Sequence, residues 1–285
     1  MERFAGAPVR SDEIARALVR KRRLGFDHLT LTGGEPTMHA GFERVLQAAK
    51  RLGYRTYVTS NGSRLAESGF ARRVLPLIDE LCLSVHGARA REHDACAGRA
   101  GSFSAVRAAI ERAAARPELY LLTNTVATTR NVDRLPEILS SLIAKRAVRH
   151  CLVSNLAPEG RGGRNFESLT VPLARWRTLI PNLARVVEGS GTVLRFFGLP
   201  LCVFGGRREL SNDLHWSPRV TLERGLRRGR PVLVEVKSAA PTRRRRRTAA
   251  CRSCAMIGRC PGVFEEYARL FGCGELSPID REAHG

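Results

Sequence analysis

Three cysteines near the C-terminus, Cys251, Cys254 and Cys260 in "CRSCAMIGRCPG", stand at C-x2-C-x5-C spacing. Two thiolates three residues apart reach one metal centre from a tight turn, and a third closes around it. A second chemically loaded stretch lies near the N-terminus, where "LTLTGGEPT" ends an apolar, β-branched run with Gly33, Gly34, Glu35 and Pro36. Paired glycines remove both Cβ atoms and let a ligand approach the main chain. Pro36 stiffens the turn, and Glu35 places a carboxylate beside it. At the carboxyl end of a strand in an α/β protein, that is where a ligand is expected.

The elements that must position these residues repeat. Ser11 to Arg23 has helical apolar spacing with Ser11 as N-cap. Strand-like runs then alternate with helical patterns. "HLTLT" precedes a helix at 42–52, "YRTYVTSNG" one at 70–77, and "ELCLSVHG" one at 103–115. "LYLLTNTVAT" precedes 135–144, "VRHCLVSNLAPEG" precedes 173–187, and "TVLRFF" reads as one more strand. Successive β-then-α units predict an α/β fold with a parallel sheet. Polar residues gathered at the strand ends favour a partial (β/α)6 TIM-like barrel, with the chemistry on the loops after the strands. The expected organisation is a barrel over residues 1–200 and a small cysteine-containing extension over 201–285. Within the extension, "SNDLHWSP" and "PTRRRRRTAA" read as loops and "PVLVEVKS" as an isolated strand.

The motifs "TGGEPT", "TSNG", "LSVHG...HDACAGRAGSF" and "NTVATTRN", spread from about Ser11 to Gly163, resemble those of the radical S-adenosylmethionine enzymes. That resemblance implies a cofactor site of Gly33, Gly34, Glu35 and Pro36, with Glu35 and the glycine backbone holding the amino group of the cofactor's methionine moiety. It further implies Asn61 shaping a strand end, Ser84 contacting the ribose or carboxylate, His86 hydrogen-bonding cofactor or substrate, and Asn124 on the cofactor's polar edge. Strand alternation groups Cys82, Ser84 and His86 on one face; an ordinary structural histidine is the blander reading of His86. The C-terminal cysteines resemble part of the auxiliary cluster motif of peptide-modifying members, the SPASM or twitch domain. Position 264 is Phe264 where a fuller motif has cysteine, which argues for one auxiliary four-iron cluster rather than two. Cys202 is the chosen fourth ligand beside Cys251, Cys254 and Cys260, with Cys273 the runner-up and a structural zinc site the blander alternative. Cys82 and Cys151 read as buried small hydrophobes.

The family's C-x3-C-x2-C loop is missing from this sequence, whose first cysteine is Cys82. Either the recorded chain begins at an internal methionine of a longer, active enzyme, or the cluster has been lost and a non-catalytic binding or scaffold relative remains; the first is preferred. In the complete enzyme, S-adenosylmethionine and an iron–sulfur cluster are the implied cofactors. A peptide or protein is the implied substrate, and ferredoxin or flavodoxin the implied reductant.

Charge weakly favours other partners. The net charge is +21 from 48 basic residues, yet only Lys21, Lys50, Lys145 and Lys237 are lysines and aromatics are 6%. Nucleic-acid surfaces usually interleave aromatics with basic residues. A solvated basic surface is therefore expected, and a zinc-bearing nucleic-acid binder using Arg243 to Arg247 is the remaining alternative. No apolar run reaches the roughly 18 residues of a membrane span, and "MERFAGAPVR" lacks a signal-peptide core. A cytoplasmic protein is expected.

Overall fold

The computed structural model describes residues 8–227 and 230–280. Helix α1 (Ser11–Arg23) leads into β1 (His28–Leu31), α2 (Phe42–Arg51), β2 (Arg55–Ser60), α3 (Ser68–Val74) and β3 (Glu80–Ser84). Then come α4 (Ala90–Ala97), α5 (Ser102–Ala114), β4 (Tyr120–Ala127), α6 (Leu135–Ile143) and β5 (Val148–Asn155). Two short helices, α7 (Gly160–Arg164) and α8 (Phe166–Leu169), precede α9 (Leu173–Val187) and β6 (Val193–Phe197). The remainder holds β7 (Arg219–Arg227), β8 (Arg230–Ser238), β9 (Arg245–Arg246), β10 (Val263–Phe264) and α10 (Glu265–Phe271).

Strands β1 to β6 form one sheet in chain order, with parallel registers such as Thr30↔Tyr57, Thr59↔Cys82 and Ser84↔Asn124. This is an α/β, partial TIM-like barrel, and the six predicted strands all form. The helix-side face is closed: Thr56, Val58, Leu81, Leu83, Leu121 and Thr123 are buried. Along α1 and α2, Leu18, Val45, Ala49 and Tyr54 make a core that Ile14, Leu29 and Leu31 extend. Just before β3, the half-buried Asp79 accepts from Lys50 at 2.8 Å and from the Thr56 amide at 2.8 Å. Burial works against that carboxylate, but Lys50 and Thr56 outweigh it and hold Asp79 below its ordinary range.

The chain divides into two compact units. One gathers the chain through Asn124 with Ser141–His150 and Leu222–Val234; the other gathers Thr125–Ser140, Cys151–Thr221 and the chain from Glu235. In the second, Trp176 packs edge-on to Phe196, which meets Phe204 in the same way.

The C-terminal region departs from expectation in two places. "PVLVEVKS" is not isolated: it lies in β8, which pairs with β7 in a two-stranded sheet. Within the arginine block Arg243, Arg244, Arg246 and Arg247 are exposed, as a solvated basic surface requires, but Arg245 is buried. Arg245 pairs with Val263–Phe264 through β9 and β10, and its guanidinium donates to Asp213 at 2.7 Å with both side chains out of solvent. The rings of Phe197 and Phe264 flank it at 5.3 and 4.8 Å. A buried guanidinium is tolerable only with such a counter-charge and aromatic faces, and a run of five identical residues hides which one has them.

Asp213→Ala should therefore destabilise the fold by about 3–5 kcal/mol, the cost of stranding a buried charge. Replacing both partners, as Asp213→Leu with Arg245→Met, should cost less. Urea titrations of the single and double variants check this; additive losses would show that the pair is not coupled.

Candidate functional site

Two sets of residues carry the candidate chemistry, one in each unit. In the first, the loop after β1 is built around Glu35. Its Oε1 accepts from the Thr37 amide at 3.2 Å, the Thr37 hydroxyl at 2.5 Å and Ser60 Oγ at 2.8 Å. Its Oε2 accepts from the Asn61 amide at 2.7 Å. The carboxylate thus ties "GGEPT" to "TSNG" at the neighbouring strand end. Four lone-pair sites are available to an ionised carboxylate, so Oε2, with one protein donor, keeps capacity for a cation. Gly33 sits at φ +128° with its Cβ position in open space. A side chain there is opposed by the backbone angle rather than by crowding. Gly34 is likewise exposed, and Pro36 opens a 3-10 turn over Pro36–Met38.

Asn61 folds its own carbonyl back onto the Ser63 amide at 2.9 Å, which fixes the turn. Gly62 follows at φ +81°, where a Cβ would stand 3.1 Å from Val106 and Ala109 of α5. Ser84 and Asn124 are direct register partners at the ends of β3 and β4. In a parallel pair they present their side chains to the same face, and both are half-buried. Cys82, two residues before Ser84, belongs to that face and is buried, as is Cys151.

His86 lies two residues beyond the end of β3. Its amide donates to Nδ1 of His93 at 3.1 Å, and the two rings stack 5.7 Å apart. His93 is buried on α4 and also meets Phe103. Burial first, and the neighbouring His93 second, push the His86 imidazole down to about 4. Burial also lowers His93, against the pull of Asp94. The "HDACAGRAGSF" stretch thus shapes the backbone, because Asp94 accepts from the Gly101 and Phe103 amides at 2.8 Å and closes the entry to α5. His93, which holds the turn under His86, opens the "HDACAGRAGSF" motif but is not among the site residues expected from the sequence.

In the second unit, Cys202, Cys251, Cys254 and Cys260 all line one cavity, walled by apolar residues including Leu201, Met256 and Val263. All four are free thiols. Cys273 is also free but is not among the lining residues. Cys260 Sγ accepts from the amides of Leu201 and Gly262, each at 3.4 Å, and Thr248 Oγ1 lies 3.6 Å from Cys251 Sγ. Burial raises the Cys260 thiol, and the thiols of Cys251 and Cys254 add to this against those amides. Cys202 is raised by burial and by Cys260 and Cys251, against a backbone donor at Ser277 and the positive charge of Arg177. The four sulfurs are electrostatic neighbours, though among the described residues no three His, Cys, Asp or Glu side chains gather closely enough to hold a single metal ion. The C-terminal stretch Leu276–Pro278 also lines the cavity, a contribution that nothing in its composition announces.

The Radical SAM superfamily model matches residues 2–142. Residues 2–142 belong to the radical SAM superfamily. Among curated proteins, the chain is 29% identical over 174 residues to mycofactocin maturase MftC of Mycobacterium ulcerans, covering 59% of this chain and 46% of that protein. It is 29% identical over 146 residues to the PqqA peptide cyclase of Rhizobium meliloti, covering 51% and 38%. The chain therefore spans less than half the length of these relatives. Streptococcus suis SuiB bound to S-adenosylmethionine shares the fold at a TM-score of 0.53 and 19% identity, over 68% of this chain and 44% of that one. SuiB bound to precursor peptide SuiA gives 0.53 and 18%, over 68% and 43%. No described helix is long and apolar enough to cross a membrane.

The histidine pair makes stability pH-dependent. In the unfolded chain His86 titrates near its ordinary value of roughly 6.5, above its value in the fold, so the unfolded state takes up the proton first as pH falls. Its contribution is complete above about pH 6.5 and is lost toward pH 4, by at most about 3 kcal/mol. Urea midpoints measured from pH 7.5 to 4.5 should fall, and His86→Gln should flatten that fall; an identical slope in the variant would remove His86 as its source.

Proposed function

We propose that this chain carries the cofactor-binding and auxiliary-cluster parts of a peptide-modifying radical SAM enzyme, with residues 1–200 as the partial barrel and 201–285 as the cluster-bearing extension. The observation that carries this reading is the Glu35 carboxylate joining the loops after β1 and β2, with Ser84 and Asn124 in register on the adjoining strands. When bound, S-adenosylmethionine and a reduced four-iron cluster supply a 5′-deoxyadenosyl radical that abstracts a hydrogen atom from the substrate.

The chain's own residues bind and orient. The exposed main chain at Gly33 and Gly34 admits the methionine end of the cofactor, and Pro36 keeps that loop stiff. Glu35 Oε2 accepts from its ammonium group while Oε1 stays committed to Thr37 and Ser60. Asn61 shapes the loop, Ser84 would contact the ribose or carboxylate, and Asn124 would meet the cofactor's polar edge. His86, neutral at physiological pH, borders the site as a hydrogen-bonding group rather than a charge. This sequence carries no C-x3-C-x2-C set, so catalysis is assigned to the protein that includes one. A peptide substrate is supported by the relatives named as a maturase and a peptide cyclase, and ferredoxin or flavodoxin is the class of reductant.

Cys202, Cys251, Cys254 and Cys260 are assigned to one auxiliary four-iron cluster. The donor set fits: four free thiols border one apolar cavity. Their wider spread suits a polynuclear cluster better than one zinc ion, which needs its sulfurs roughly 4 Å apart.

Glu35→Gln keeps the size of the side chain but removes the charge opposite the ammonium group. The expected loss is about 1.5–3 kcal/mol, about ten- to a hundredfold in S-adenosylmethionine affinity by calorimetry on the iron-loaded protein. Unchanged affinity in Glu35→Gln and in Gly34→Val would refute the site. Metal analysis after anaerobic purification should find iron and sulfide that fall when Cys202 or Cys254 becomes Ala, and zinc alone would overturn the cluster assignment.

A further inference from the structure

Each of the four cavity thiols meets a hydrogen-bonding group from the chain, but the donors have two origins. Those to Cys260 come from Gly262 beside it and from Leu201 in the loop after β6, and the contact to Cys251 comes from Thr248. The donors to the other two come from the C-terminal stretch: the Ile279 amide lies 3.4 Å from Cys254 Sγ, across 25 positions of sequence, and the Ser277 amide donates to the Cys202 sulfur. Ile279 also accepts from the Ala255 amide at 2.8 Å, which fastens the stretch beside Cys254.

This strap is pinned from α9. The Glu275 carboxylate accepts from the amides of Leu173 and Ala174 at 3.1 and 3.3 Å, an acid at a helix N-terminus where the dipole favours it. The Tyr267 hydroxyl donates to the same carboxylate. Within the first turns of α9, Arg177 forks. Its Nη1 donates to the Cys202 carbonyl at 2.8 Å, and its Nη2 to the Glu275 carbonyl at 2.5 Å and Ser277 Oγ at 3.0 Å. One guanidinium thus joins a cysteine's own backbone to the segment that supplies donors to the sulfurs.

We propose that the strap Leu276–Ile279, positioned by Arg177, sets the reduction potential of an iron–sulfur cluster at these four cysteines and slows its loss. The proposal rests on the cluster reading above. An N–H group aimed at a ligating sulfur stabilises the added negative charge of the reduced state and raises the potential. Leu276 and Pro278, which line the same cavity, keep water from competing for those sulfurs. Arg177 is a positioning residue: it reaches the backbone around the cysteines and not the sulfurs.

The test uses the full chain with its cluster reconstituted anaerobically, titrated potentiometrically with soluble mediators and then challenged with an iron chelator. Ile279→Pro deletes the donor to Cys254 and keeps apolar bulk. Arg177→Lys keeps the charge but cannot bridge two backbone segments. At a fixed poise, each variant should lower the reduced-to-oxidised ratio at least threefold, about 28 mV at 59 mV per decade for a one-electron couple. Each should also release iron at least threefold faster. A potential that does not move in either variant overturns the proposal, since mere loss of packing would change melting without moving the couple. If Ile279→Pro does not fold, Arg177→Lys alone decides. Parent protein that takes up zinc but neither iron nor sulfide overturns the cluster reading, and the strap proposal with it, before any variant is made.

Discussion

The carboxylate of Glu35 is the tie on which the geometry of the loops after β1 and β2 depends. Parallel strands have no direct hairpin between them, so the loops leaving their carboxyl ends are joined only through side chains or backbone reaching sideways. Glu35 supplies that link by accepting four donors from its own loop and from Ser60 and Asn61. Each donor is part of a turn that would otherwise leave a polar group unanswered. The Asn61 side chain turns back on Ser63, and Gly62 lets that turn settle against α5. Two loops separated by a strand and a helix in sequence are thereby one rigid edge, and the paired ends of β3 and β4 continue it.

The sheet was readable because its central strands follow one rule. In β2, β3 and β4 the residues pointing to the helices are apolar or small and buried, whereas the opposite set is mixed, so a run such as "ELCLSVHG" shows both length and polarity. Helices α1 and α9 fall at their expected bounds because Arg23 precedes a glycine turn and Val187 precedes "EGSG". The loops after β1 and β2 were legible as a pair of glycine- and amide-rich strand ends, and Glu35 joins them through Ser60 and Asn61.

What stayed hidden depends on contacts between distant segments. Nothing local distinguishes Arg245 from its four neighbours; only Asp213, Phe197 and Phe264 do. The β8 strand gave its own periodicity but not its partner, because β7 carries Arg and Glu among its apolar residues. The strap is harder still. Its part near Cys202 and Cys254 is played by backbone amides, which every residue except proline possesses, so composition holds no trace of it. His93 is similar: its value lies in one acceptor nitrogen turned toward the His86 amide.

The β9–β10 pairing is only two rungs long, too short to persist by its own hydrogen bonds. Arg245 is one of those rungs and also the partner of Asp213, so a single ion pair anchors the arm that leads to three of the four cavity thiols. The loop after β6 and the arm beyond Arg245 therefore share one buried contact, and Cys251, Cys254 and Cys260 of the thiol-lined chamber all lie on the arm's side of it.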